Sequence, residues 1–233
     1  MRGRPPNPGD PGAAGRHTVS MLTDLLPQFG LVLRTPRLEL RLPSPEQLVA
    51  LGEVAAEGVH DPDAMPFLVP WTDASPAERA RSVLQWHWRA WGSWTPEDWT
   101  LTFAVLHDGA VVGTQDMTGR EFPALREVAT GSWLGQKHQG QGIGTEMRAA
   151  ALHLAFAGLG AQSAVSGAFT DNPASLAVSR KLGYVKDGQH RFVRRGCPAV
   201  EQRLRLDRAT WQAKHTVPVE IEGLEPCLPL LGL

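Results

Sequence analysis

The chain has 233 residues, 42% of them hydrophobic and 20% charged, which describes an ordinary globular protein with one full core or at most two small ones. A formal net charge of −1 gives no electrostatic footprint for nucleic acid, and no apolar run approaches the ~20 residues that span a bilayer. Neither is expected as a partner, the expected location is cytoplasmic, and Cys197 and Cys227 alone make neither a disulfide framework nor a metal cluster, so no metal is expected.

In chain order, residues 1–20 hold proline, glycine and arginine without periodic apolar positions and read as a disordered leader or expression remnant, with Met21 as a candidate start. LVLRTPRLELRLP, 31 to 43, alternates in its second half and predicts a half-buried strand. SPEQLVALGEVAAEGV, 44 to 59, predicts a helix with Ser44 as N-cap and Pro45 at the first helical position. The proline-rich stretch 60–76 is a loop, and a second helix runs from about Ser75 to between Gly92 and Pro96. TLTFAVLHDGAVVGTQDMTG predicts a hairpin turning at Asp108-Gly109, and 126–135 the next strand. A glycine turn and its helix follow, then a strand at 163–170, a short helix at 172–183 closed by Gly183, and a last hairpin from Tyr184 to Leu206. The order β-α-α-β-β-β-α-β-α-β-β makes one α/β domain with a mixed sheet, spanning 21–207. The tail, 208–233, adds a short helix and an alternating strand, which covers a sheet edge or builds a homodimer contact.

QGQGIG, 139 to 144, sits between the strand ending TrpLeuGly and a helix beginning near Thr145. The first N–H groups of a helix lack intrahelical partners and carry partial positive charge, and glycine lets backbone approach a phosphate closely. The P-loop pattern is absent because no lysine follows, and GxGxG is not the dinucleotide fingerprint. A tight connector without ligand is the alternative.

Gln139, Gly142 and Gly144 resemble the QxxGxG acyl-CoA signature of the GCN5-related N-acetyltransferases, the GNAT superfamily. ThrProArgLeu at 35–38, GlySerTrpLeuGly at 131–135, AspAsnProAlaSer at 171–175 and ArgLysLeuGlyTyr at 180–184 are similar to its RimJ/RimL branch, over roughly 31–207. GlyValHisAspProAspAlaMetProPhe at 58–67 with ProTrpThr at 70–72 is similar to actinobacterial members that include a mycobacterial succinyltransferase. The resemblance implies an α/β (α+β) fold with a mixed, mostly antiparallel sheet of about seven strands, helices on both faces and a splayed acyl-CoA cleft. It implies an N-acyltransferase using acetyl-CoA or succinyl-CoA on a small-molecule or protein amine. A non-catalytic coenzyme A sensor or interaction module on the same fold is the alternative.

By the same resemblance, the pyrophosphate would bind backbone from Gln139 through Gly140, Gln141, Gly142, Ile143 and Gly144 to Thr145. The pantetheine arm would pair with Trp133 and Leu134 and bond Asn172, with Ser175 near the sulfur and Arg180 and Lys181 near the adenosine end. Direct acyl transfer needs an oxyanion donor, a proton for the leaving thiolate and a base for the amine. The Leu134 backbone N–H and Ser175 are the candidates for the first two. Asp116, Glu127, His60 and Asp61 are candidates for the base. The first two helices and the 60–73 loop would build the acceptor pocket, with His60, Asp61, Phe67, Trp71 and Trp88 as contacts. Trp86, Trp88, Trp91, Trp94 and Trp99 lie close together in sequence and serve either as core or as an aromatic wall. A succinyl carboxylate would need a cation, for which Arg120, Arg126, Arg191 and Arg194 are available.

Overall fold

The computed structural model describes residues 21–233, so the expectation for 1–20 lies outside the described residues. A four-residue helix α1 (Leu22–Leu25) leads into β1 (Val32–Arg34) and β2 (Leu38–Arg41). Where one strand was expected over 31–43, Thr35-Pro36-Arg37 turns the chain back and the two pieces pair antiparallel, Leu33 opposite Leu40. α2 (Pro45–Glu57) starts at a capping box, the Ser44 hydroxyl accepting from Gln47 N–H while the Gln47 side chain accepts from Ser44 N–H. α3 (Pro76–Gly92) follows the proline-rich loop. β3 (Asp98–His107) and β4 (Ala110–Arg120) form the expected hairpin, both turn residues having positive φ, Asp108 at 51° and Gly109 at 76°.

A short helix α4 (Phe122–Leu125) precedes β5 (Glu127–Leu134), and α5 (Ile143–His153) runs into one π-helical turn. β6 (Ser163–Phe169), α6 (Pro173–Lys181), β7 (Val185–Arg194) and β8 (Cys197–Asp207) complete the expected order. The tail forms α7 (Arg208–Lys214) and β9 (Glu220–Glu222), and β9 pairs with β1, Ile221 opposite Leu33. Trp211 of α7 stacks on Phe156, and Cys227 and Leu231 lie fully buried in the main core.

The described residues form one nine-stranded sheet in the order β7-β8-β6-β5-β4-β3-β2-β1-β9, rather than about seven strands. Splitting the first strand and adding β9 make the difference. Every neighbouring pair is antiparallel except β5 and β6. Strand alternation divides the core between two faces. Leu101, Phe103 and Val105 point to the face carrying α5 and α6, whereas Ala104 and Leu106 meet Leu51, Ala55 and Val83 of α2 and α3. No described helix is long and apolar enough to cross a membrane, and no described group of three or more His, Cys, Asp or Glu is placed to hold a metal ion.

Candidate active site

The parallel pair β5/β6 is joined at only three positions: Glu127 with Ser163, Val128 with Ala164, and Ala129 with Val165. Beyond Ala129 the strands part. β5 continues paired with β4 as far as Leu134, while β6 continues paired with β8 to Phe169. The Gly135 N–H bonds the Val112 carbonyl at 2.9 Å, so Gly135 faces β4. Alternation then turns the backbone groups of Leu134 and Ser132 the other way, into the gap that β6 has left. The Ser166 hydroxyl closes the apex by donating to the Thr130 carbonyl at 3.2 Å, and a cavity of about 280 Å³ opens there beside Ala129 and Gly167.

The glycine turn lies at the far end of β5. Gly140 and Gly142 take φ values of 75° and 82°, a left-handed region in which a Cβ is disfavoured. Gly142 is the N-cap of α5 and supplies no side-chain cap, so the Ile143 and Gly144 N–H groups have no described partner, whereas those of Thr145, an expected pyrophosphate donor, and Glu146 both bond the Gly142 carbonyl at 3.1 Å. A Cβ built on Gly140 would meet nothing within 4 Å. The turn is held from both ends. Ile143, 1% exposed, pegs it into the core, and the Gln139 amide donates to the carbonyls of Val59 at 2.6 Å and Leu134 at 3.0 Å. The buried Glu146 carboxylate, one turn into α5, accepts from the Thr35 hydroxyl at 2.7 Å and from Arg37 N–H and Nε at 3.2 and 2.7 Å. Burial pushes the Glu146 carboxyl upward, but these bonds outweigh it and hold it below its usual range. Arg37 also reaches the Gln141 carbonyl at 3.2 Å, so ThrProArgLeu serves as a clamp on the glycine turn.

α6 flanks the gap. The Asn172 side chain accepts from Ser175 N–H at 3.1 Å and caps the helix, leaving its amide N–H groups and the Ser175 hydroxyl without a described partner. Gly144 sits between Leu134 of β5 and Val178 of α6, which brings the turn, the strand and the helix together. Arg180 and Lys181 are exposed in the last turn of α6.

On the other face, Asp116 of β4 is paired with Gly131, just past the apex. Registered partners share a face, and a Cβ on Gly131 would meet nothing within 4 Å, so open space lies beside the half-buried Asp116 on the gap side. The Trp86 indole N–H donates to its Oδ2 at 3.2 Å, and the Thr114 hydroxyl lies 3.2 Å from Oδ1. Burial raises this carboxyl to about 7 against the opposing pull of those two bonds. The other base candidates are committed. Glu127 is ion-paired with Arg205 and accepts from Ser163. His60 donates from Nδ1 to the Asp61 carbonyl and meets the Thr72 hydroxyl through Nε2, both at 2.7 Å, and the Asp61 carboxylate accepts from Asp63 N–H within the loop.

His60, Phe67, Trp71 and Trp133 form a continuous aromatic run, with centroid spacings of 5.7, 5.3 and 5.8 Å. It ends on β5 beside Gly131. Trp88 does not join it: that ring is 56% exposed on the outer side of α3. Trp86 reaches the site in its place, while Trp91, Trp94 and Trp99 are packed against the core. The tip of the β7–β8 hairpin meets the 60–73 loop. Arg194 forks onto Asp171 and bonds the Met65 carbonyl at 2.6 Å, and Arg195 forks onto Asp73.

Of the four arginines considered for an acyl carboxylate, Arg194 is thus spent on the clasp. Arg120 pairs with Asp98 at the far end of β4, and Arg126 lies over the Phe122 ring before β5 begins. Arg191, exposed and registered with Val200, alternates to the opposite face from Arg194. Arg37, Trp86, Glu146 and Arg148 are the site residues that sequence reasoning missed. A charged residue on the buried side of an amphipathic helix was the available signal for Glu146 and Arg148.

Comparison with known proteins agrees with this geometry. The acetyltransferase (GNAT) domain family matches residues 37–185. In fold the chain is similar to a GCN5-related N-acetyltransferase from Brucella melitensis, with 21% identity, 79% of this chain and 81% of that one covered, and a TM-score of 0.62. Mycobacterium smegmatis RimJ in complex with CoA-disulfide has 17% identity over 87% of this chain and 95% of its own, with a TM-score of 0.61. RimL, a ribosomal L7/L12 alpha-N-protein acetyltransferase in complex with coenzyme A, has 18% identity, covers 76% and 97%, and gives a TM-score of 0.59.

Proposed function

This chain belongs to the GNAT acetyltransferase family, and from that premise we propose that it is an acyl-CoA-dependent N-acyltransferase acting on a primary amine. The observation that carries this reading is the parting of β5 from β6, which ends on the glycine turn and has a carboxyl titrating at about 7 one strand away. The open Cβ position at Gly140 and the uncapped start of α5 fit a pyrophosphate. The gap-facing backbone of Ser132 and Leu134 fits the amides of a pantetheine arm laid as an added strand. An acyl-CoA bound there supplies the acyl group and a thiolate leaving group.

The protein's own groups then divide the work. Asp116, whose carboxyl burial raises to about 7, takes the proton that makes the amine nucleophilic. The Leu134 N–H donates to the oxygen on which negative charge develops. The Ser175 hydroxyl, at the first turn of α6, gives a proton to the departing sulfur. The aromatic run from His60 to Trp133 and the cavity at the apex frame the acceptor side, where a small amine or a protein amine would enter.

The test is release of free thiol from acetyl-CoA and succinyl-CoA in the presence of amines, including a peptide with a free N-terminus. Ser175→Ala is expected to lower turnover about 10²-fold, the low end of the range for one positioned proton donor, with coenzyme A affinity changed less than about twofold. Coenzyme A binding without thiol release on any amine would instead establish a non-catalytic coenzyme A module.

A further inference from the structure

Arg148 of α5 is 5% exposed, yet no described carboxylate lies within ion-pair distance of it. Its Nη1 donates to the Ser179 hydroxyl of α6 at 2.9 Å and its Nη2 to the Ser132 hydroxyl of β5 at 3.1 Å. Its Nε is buried with no partner. The other deeply placed arginine of the site, Arg194, has a carboxylate fork. A buried guanidinium held only by hydroxyls leaves its desolvation cost without an opposite charge to offset it. A planar fork with five donors is matched by a carboxylate, which takes two of them in parallel.

The location limits what that carboxylate can belong to. Ser132 lies in the stretch of β5 that has no β6 partner, two residues from Leu134 toward the apex, and Ser179 is one helical turn beyond Ser175. Arg148 therefore sits beneath the inner end of the donor cleft, on the α5 face, away from the acceptor loop. Two residues of strand span about 6.7 Å, a distance that a four-carbon acyl chain with its terminal carboxylate covers.

We propose that Arg148 is an anion subsite for the far end of the acyl group, so that the preferred donor is the coenzyme A thioester of a short dicarboxylic acid, of which succinyl-CoA is the four-carbon example. The proposal rests on the donor reading above and assigns to Arg148 the role that Arg120, Arg126, Arg191 and Arg194 do not fill. Ser132 and Ser179 orient the guanidinium, and the incoming carboxylate completes its bonding.

Titration calorimetry of the full chain with coenzyme A, butyryl-CoA and succinyl-CoA tests it, because butyryl and succinyl have the same number of acyl carbons and differ in the terminal group. Succinyl-CoA is expected to bind at least tenfold more tightly than butyryl-CoA. Arg148→Met is expected to bring that ratio to within about twofold of unity, and Arg148→Lys to keep part of it. Should Arg148→Met fail to fold, as judged by its melting transition, the wild-type ratio decides alone. Equal affinities in the wild type, tighter binding of butyryl-CoA, or a succinyl preference that survives in a folded Arg148→Met overturns the proposal. Absence of binding by all three ligands overturns the donor reading instead.

Discussion

Asp116→Asn is expected to lower kcat/KM by about 10²–10⁴-fold, the usual contribution of a positioned general base, and to stabilise the protein above neutral pH. Both effects have one cause. The wild-type carboxyl titrates at about 7 because burial disfavours its charge. Activity should rise with pH through that value, and the rising limb should vanish in the variant. The sign for stability is the opposite. A carboxyl raised in the folded state contributes stability that is complete below its unfolded value near 3.9 and is lost as pH rises through about 7. Asparagine has no charge to bury, so the melting temperature of Asp116→Asn should exceed that of wild type by an amount that grows from pH 5 to pH 8 and then levels off. At about 1.4 kcal/mol per pH unit, the gap is a few kcal/mol. Trp86→Phe removes the indole donor that favours the ionised form and should move the rising limb to higher pH. A pH–rate profile unchanged in Asp116→Asn would remove this residue from the chemistry.

The second large effect is at Gly140. Its φ of 75° admits asparagine and aspartate better than other side chains, and the direction of its missing Cβ is open. Gly140→Asn and Gly140→Asp should therefore fold alike, with nearly equal melting temperatures. The two side chains have almost the same shape and differ by one charge. Gly140→Asn is expected to weaken coenzyme A binding about tenfold by obstructing the approach to the α5 N-terminus. Gly140→Asp should weaken it by roughly a further 30–100-fold, since like charges near 4 Å at a protein surface repel by up to about 4 kcal/mol before screening. The difference between the variants should shrink as salt is raised. A pantetheine thioester lacking the pyrophosphate should bind both variants equally. If coenzyme A binds all three proteins with one affinity, the turn is a connector only.

The elements that could be read from sequence were those governed by local rules. The N-cap at Ser44, the Asp108-Gly109 turn and the glycine turn before α5 each depend on a few adjacent residues, and each lies where expected. The Thr35-Pro36-Arg37 reversal was hidden because the residues on both sides share one apolar alternation, whereas the strand in the tail was read from its alternation and only its pairing with β1 was not local in sequence. The residues read for a donor cleft fall together on the glycine turn, the end of β5 and the start of α6, whereas those read for the acceptor side are only partly brought together. Helical spacing groups tryptophans without saying which group faces inward, so Trp88 and Trp86 were equivalent on paper. Only the packing of α3 on the sheet directs Trp86 to Asp116. Asp116 itself acquires its character from Gly131 on a neighbouring strand and from burial, neither of which is local in sequence. Arg148 carried only the signal of its place on the buried side of α5, which is weak because a guanidinium on a helix is ordinarily solvated.

The gap between β5 and β6 lies within the sheet and not at its rim. α5 with the glycine turn stands on one side of that sheet, and the 60–73 loop, clasped by Arg194 and Arg195, stands on the other. The sheet is thus a partition with a slit in it. On the proposed function, donor and amine would approach the slit from opposite sides and meet at its apex without sharing an entrance. Under that reading both partners could be present at once, one on each side of the sheet, until the bond forms.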